Sequence, residues 1–193
     1  MRALLIFIFL FHGRFTGVAS QDQAAHPIVV SLPDGKERRI KSPDGKWTLV
    51  FECPNDCKEE RKLWIEERDV HTRRLVRDYE RSLSISWAPD SHHFFVNDSH
   101  GSDGTDCSVF DPATLKTTDI AELLVAKDTG VKKFLGAGHS YLEAKHWIDS
   151  HDLLIVLFGH FDDPPLGGFT LRYRVDLAGK VHKLSQQSEE HPE

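Results

Sequence analysis

The sequence predicts an all-β domain of antiparallel sheets, set out as about three repeated units in an open or incomplete array, with one short helix near residues 119–129. A recurring Pro-Asp turn, strict alternation of apolar and charged residues beside it, and frequent Gly, Asp and Asn between β-rich runs all point that way. The domain is read as residues 21–184, between a leader at 1–20 and a polar tail at 185–193 that is expected to be disordered.

The leader comes first. Met1 and Arg2 give a positive start, Ala3 to Phe11 are nine uninterrupted apolar residues, and Val18, Ala19 and Ser20 are small residues near a cut, the layout of a secretory signal peptide. Nine apolar residues cannot span a bilayer as a helix, which takes roughly 20. Cleavage after Ala19 or Ser20 and export to a periplasmic or extracellular space are therefore expected. No later run reaches spanning length, so no integral membrane segment is expected in the mature chain.

Loss of the leader removes Arg2 and Arg14 but no acid, so 24 basic residues fall to 22 against 30 acidic ones, a net charge of −8. Such a surface repels phosphate backbones, and nucleic acid is not expected as a partner. Local basic runs, Lys36 to Lys41 and Arg73 to Arg77, fit the wet face of a sheet.

The repeat carries the fold. Ser42-Pro43-Asp44-Gly45 leads into the β-rich run Lys46 to Phe51, and 46 residues later Ala88-Pro89-Asp90-Ser91 leads into His92 to Asn97. A looser third copy starts at Trp147-Ile148-Asp149-Ser150-His151-Asp152 and enters Leu153 to Phe158. Trp87 and Trp147 stand at the same place just before the turn. Pro presets φ, Asp bonds the following backbone and Gly or Ser permits the reversal, so each copy reads as strand, turn, strand. A period of 40 to 50 residues belongs to propeller-type arrays.

These segments resemble the repeats of the TolB and WD40-like propeller group, in which a Ser-Pro-Asp-Gly turn links two strands of a blade. The resemblance is best over residues 40–118. It implies propeller-like blade units, about three of them, where closed propellers carry four to eight.

The remaining elements follow in order. Ile28 to Leu32 and Glu37 to Ile40 flank Pro33-Asp34-Gly35 as a hairpin. Leu63-Trp64-Ile65 lies in a second strand, and Asp69 to Thr72 turns into Arg73 to Asp78. Asp119 caps a helix whose Ile120, Leu123 and Leu124 share one face, with Glu122 at the capping-box position. Leu171 to Asp176 alternates strictly, and Ala178-Gly179-Lys180 returns the chain into Val181 to Leu184.

Chemistry-bearing residues are sparse. Cys53 and Cys57 are a candidate disulfide around the turn formers Pro54, Asn55 and Asp56, which leaves Cys107 unpaired, and a bridge from either of them to Cys107 stays open. Asp98, Asp103 and Asp106 sit in a Gly-rich loop with oxygen ligands for calcium but without EF-hand spacing, and a solvated hairpin loop is the expectation. Asn97-Asp98-Ser99 is a formal glycosylation triplet. His139, His146, His151 and His160 fall near Asp149, Asp152, Asp162 and Asp163, yet at spacings that neither helix nor strand geometry gathers, so they read as scattered surface residues and no metal site is assigned. No nucleophile elbow, phosphate loop or dinucleotide fingerprint occurs, so no catalytic residue and no cofactor is assigned. Phe161, Leu166 and Phe169 mark a Pro-Gly loop as a candidate contact surface.

The function expected is therefore an exported, non-enzymatic interaction or scaffold domain with a protein partner still to be identified, and a homodimer is considered because an open fan leaves sheet edges to cover. The alternative is a metal-binding protein or metal-dependent enzyme using the His and Asp residues between 139 and 163.

Overall fold

A computed structural model describes residues 29–32, 38–52, 61–70, 72–162 and 166–190. The leader, Pro33–Glu37, Cys53–Glu60 and Asp163–Pro165 lie outside these residues, and with them the candidate Cys53–Cys57 bridge.

Among the described residues thirteen strands form three four-stranded antiparallel units plus one stray strand. The first unit is β2 (Arg38–Lys41), β3 (Trp47–Glu52), β4 (Arg61–Glu67) and β5 (Arg73–Tyr79), paired in sequence order. The second is β6 (Ser82–Trp87), β7 (Phe94–Ser99), β8 (Gly104–Phe110) and the short β9 (Thr117–Asp119). The third is β10 (His139–Trp147), β11 (Asp152–His160), β12 (Leu166–Asp176) and β13 (Lys180–Glu190). Each is an antiparallel meander of four strands, the make-up of a propeller blade. Among the described residues no barrel closes, and the array is open.

Side-chain alternation explains the stacking. In β7, Phe94 and Val96 face the first unit, in one apolar cluster with Leu49, Phe51, Leu63 and Ile65, while Phe95 faces the third, with Trp147, Ile155 and Leu171. In β8, Phe110 takes the first direction, Cys107 and Val109 the second. The middle sheet is thus covered on both faces, which is why Phe94-Phe95-Val96 reads as a continuous apolar run.

The repeated turns superpose in their bonding. The Ser42 amide donates to the Trp47 carbonyl and the Ala88 amide to the His93 carbonyl, whereas in the third copy the Ile148 amide reaches the Asp152 carbonyl, one residue sooner. The Asp carboxylates of all three turns accept the amide two residues on, at Lys46, His92 and His151. Gly45 and Ser91 hold the same left-handed φ of 66°. That conformation costs a non-glycine residue roughly 1–2 kcal/mol. Ser91 gains a partner in return, because its buried hydroxyl accepts the Asp44 amide of the neighbouring turn at 3.0 Å.

A second repeated contact joins the units. The Trp87 indole Nε1–H donates to the Ile40 carbonyl at 3.3 Å, and the Trp147 Nε1–H donates to the Ser86 carbonyl at 3.2 Å. Each acceptor stands two residues before the turn of the preceding unit, and each donor one residue before the turn of its own. Both indoles are buried. Between the second and third units β10 pairs in parallel with β8 at only two positions, Ser140↔Gly104 and Tyr141↔Thr105. The buried Asn97 amide continues that join: its Nδ2 donates to the Ala144 carbonyl at 2.9 Å, and its Oδ1 accepts the Ala144 amide at 2.8 Å, beside a register shift in β10.

Helix α1 (Ile120–Lys127) forms where expected. Asp119 accepts the Glu122 amide at 3.0 Å, and Ile120 and Leu124 are buried. It ends at Lys127, and the chain goes on through a 3-10 turn (Thr129–Val131) into a single-turn helix α2 (Lys132–Leu135) that seats Val131 and Phe134 in the core. Asp128 punctuates the join by accepting the Gly130 amide at 3.1 Å.

Two expectations are corrected. The first described strand, β1 (Val30–Leu32), does not pair with β2 as a hairpin but with β6 of the second unit, where Leu32 fills the core opposite Leu83. The polar tail is not wholly disordered: β13 runs to Glu190 and pairs along β12, as at Leu171↔Gln186 and Phe169↔Ser188. Strand pairing is made by backbone groups, so Ser185, Gln186 and Gln187 extend an edge without apolar side chains.

The indole contacts predict a specific pattern of stability. Trp87→Phe and Trp147→Phe, which keep an aromatic ring but lose the donor, should each cost about 1–2 kcal/mol in urea unfolding. Trp64→Phe should cost little, because the Trp64 Nε1 has no partner among the described residues.

Candidate functional site

The hairpin of β10 and β11 gathers the one group of three candidate metal ligands among the described residues. Antiparallel register sets His139 directly opposite His160, with their rings stacked at 4.1 Å between centroids. Asp162, two residues past His160, brings its Oδ1 to 3.9 Å from the His139 Nε2. Ligand atoms of all three lie within 4.8 Å of one another. His146 and His151 fall outside the group. Separation along the chain hid this pairing, which only the hairpin register creates.

Glycines make the close approach possible. At Gly159 an added Cβ would come within 1.9 Å of the His139 carbonyl oxygen, so no side chain fits between the paired backbones. At Gly138 an added Cβ would overlap the Asp162 carboxylate. The Tyr141 hydroxyl donates to the Ser102 carbonyl and lies 3.4 Å from the His139 Nδ1.

The other candidates separate. Asp98 does not join Asp103 and Asp106 around an ion but pairs with Arg77 at 3.0 Å, and burial lifts its carboxyl above the usual range while Arg77 pulls the other way. Asp106 instead faces His100 at 3.6 Å. Asn97 offers no glycan attachment point, since its amide is buried and bonded to Ser84 and Ala144.

The contact surface expected at Phe161, Leu166 and Phe169 is corrected for the two phenylalanines. Phe169 is buried and Phe161 half-buried, and both rings pack on Phe134 of α2, at 5.0 and 5.9 Å between centroids. Burial of three aromatic rings against one another outweighs their exposure on a loop. Leu166 opens β12.

Cys107 is a free, buried thiol on the side of β8 that faces the third unit. Burial pushes its pKa up to about 12.

The chain matches no protein-family model and no curated protein. Among solved structures it is similar to a putative TolB from Agrobacterium tumefaciens, at 14% identity and a TM-score of 0.43, over 83% of this chain and 52% of that one. It is similar also to the β-propeller domain of the Trilobed protease from Pyrococcus furiosus, at 15% identity and a TM-score of 0.47, over 81% and 52%. A puromycin hydrolase overlaps 88% of this chain and 31% of its own, at 11% identity and a TM-score of 0.28. The chain spans about half the length of the first two. Its blade character comes from its own three meanders and the indole contacts between them.

A thiol so placed is inert while the fold holds. Iodoacetamide at pH 8 should leave Cys107 unmodified in the native protein for hours and alkylate it within minutes in denaturant, as read by peptide mass. Rapid native labelling would show that the second and third units part readily.

Proposed function

We propose that this chain is an exported protein-interaction domain with no reaction of its own, and that its first partner is a second copy of itself. One observation carries the proposal: the middle unit is covered on both faces, while each end unit keeps an outward face with an apolar centre ringed by charge. On the first unit, Trp64 pairs with Leu75, which is 42% exposed, among Glu52, Glu66 and Arg73. On the third, Leu154, Val156 and Phe158 point away from the core side of β11, flanked by Glu143, Arg172 and Arg174. Long charged side chains lie over these centres, Arg73 across Trp64 and Lys145 across Phe158.

Units within the chain already stack face to face, and an end face can be covered in the same way. The described residues hold three units where closed rings hold four to eight, and two copies joined third unit to first would make six. Export rests on the leader pattern of Met1 to Ser20.

Native mass spectrometry of the mature protein at about 10 μM should show twice the mass of one chain. Leu75→Arg and Phe158→Arg, one on each end face, should each return it to single chains. A wild-type protein that stays single at that concentration, or a dimer that survives both substitutions, would dismiss self-association through these faces.

A further inference from the structure

We infer that His139, His160 and Asp162 form a binding site for a divalent transition ion of the zinc class. The inference is independent of self-association.

The donor set fits the chemistry. Two imidazoles and one carboxylate suit Zn²⁺ and its neighbours rather than the all-oxygen cages of calcium or magnesium. Zinc holds His nitrogen and carboxylate oxygen at about 2.0–2.2 Å, which in a tetrahedron places donors roughly 3.3 Å apart. The His139 Nε2 and the Asp162 Oδ1 stand at 3.9 Å, which a small rotation of Asp162 closes, and His160 completes the set by turning its ring out of the stack with His139, because an imidazole lone pair lies in the plane of its own ring. Asp162 has the freedom for it, since its side chain is 63% exposed. The same exposure gives an ion its way in.

The surroundings favour the ligand form of His139. The Tyr141 hydroxyl donates its hydrogen bond to the Ser102 carbonyl, so toward His139 it can only accept, and it draws the imidazole hydrogen to Nδ1. That tautomer leaves the Nε2 lone pair bare on the side of Asp162, the arrangement by which an outer partner orients a metal-binding histidine. Gly159 is the backbone half of the device: a Cβ there would strike the His139 carbonyl, so glycine lets the two strands approach closely enough to set His160 beside His139.

Three protein ligands leave the fourth position of a tetrahedral ion open to water or to an incoming group. His139 and His160 share their sheet face with Tyr141 and Phe158, so an ion held there stands at the rim of the outward face of the third unit.

The test is a calorimetric titration of the metal-free mature protein with Zn²⁺, together with the visible spectrum of the Co²⁺ form. One equivalent of Zn²⁺ should bind with micromolar or tighter affinity, and saturating ion should raise the melting temperature. His139→Ala, His160→Ala and Asp162→Asn should each weaken binding at least tenfold, Tyr141→Phe by about tenfold, and His182→Ala not at all. The Co²⁺ form should show d–d bands without a thiolate charge-transfer band. All five positions are at least partly exposed, and a matching far-ultraviolet circular dichroism spectrum checks each fold. Unchanged Zn²⁺ affinity in His139→Ala and His160→Ala, a thiolate band from Cys53 or Cys57, or no binding below about 100 μM would each overturn the site.

Discussion

The architecture depends on an indole N–H that reaches across to the carbonyl of the unit before it. Sheets that pack through apolar faces alone can slide, because the hydrophobic effect has no direction. A buried donor with one acceptor in reach does have direction, and leaving it unmade costs more than making it gains. Trp87 and Trp147 therefore set the stagger between successive sheets, and the apolar clusters fill the space so defined. The first unit has Lys41 at the corresponding place, so the series begins there.

The turns show the same rule at smaller scale. Gly45 satisfies the left-handed bend with no side chain, whereas Ser91 accepts the strain and uses its hydroxyl on the adjoining turn. Asn97 is the third example, a side chain that stands in for a missing stretch of strand where β10 leaves β8. Ser91 and Asn97 thus act as connectors between sheets.

That explains what could be read from the residues alone. The Pro-Asp turns, the aligned Trp87 and Trp147 and the capped helix at Asp119 are local patterns, and local patterns follow from dihedral preference and periodicity. The partner of β1 was out of reach because Val30 to Leu32 pairs with a strand some fifty residues on, and nothing nearby encodes that choice. The edge strand through Gln186 was hidden because its side chains are polar while its bonds are backbone. His139 and His160 looked unrelated for a similar reason, since 21 residues separate them and a hairpin register unites them. Phe161 and Phe169 misled in the opposite sense, as the Pro and Gly around them signal a loop without telling which way its rings turn.

The direction of the indole bonds has a consequence for how the chain is built. Every such donor belongs to a later unit and every acceptor to an earlier one, so as the polypeptide emerges from its amino end each new sheet finds its seat already in place. A truncation that removed the last unit would take a donor away and leave a carbonyl, which a water molecule can satisfy. One that removed the first would uncover the Trp87 ring together with its N–H, so the indole loses apolar cover as well as its acceptor.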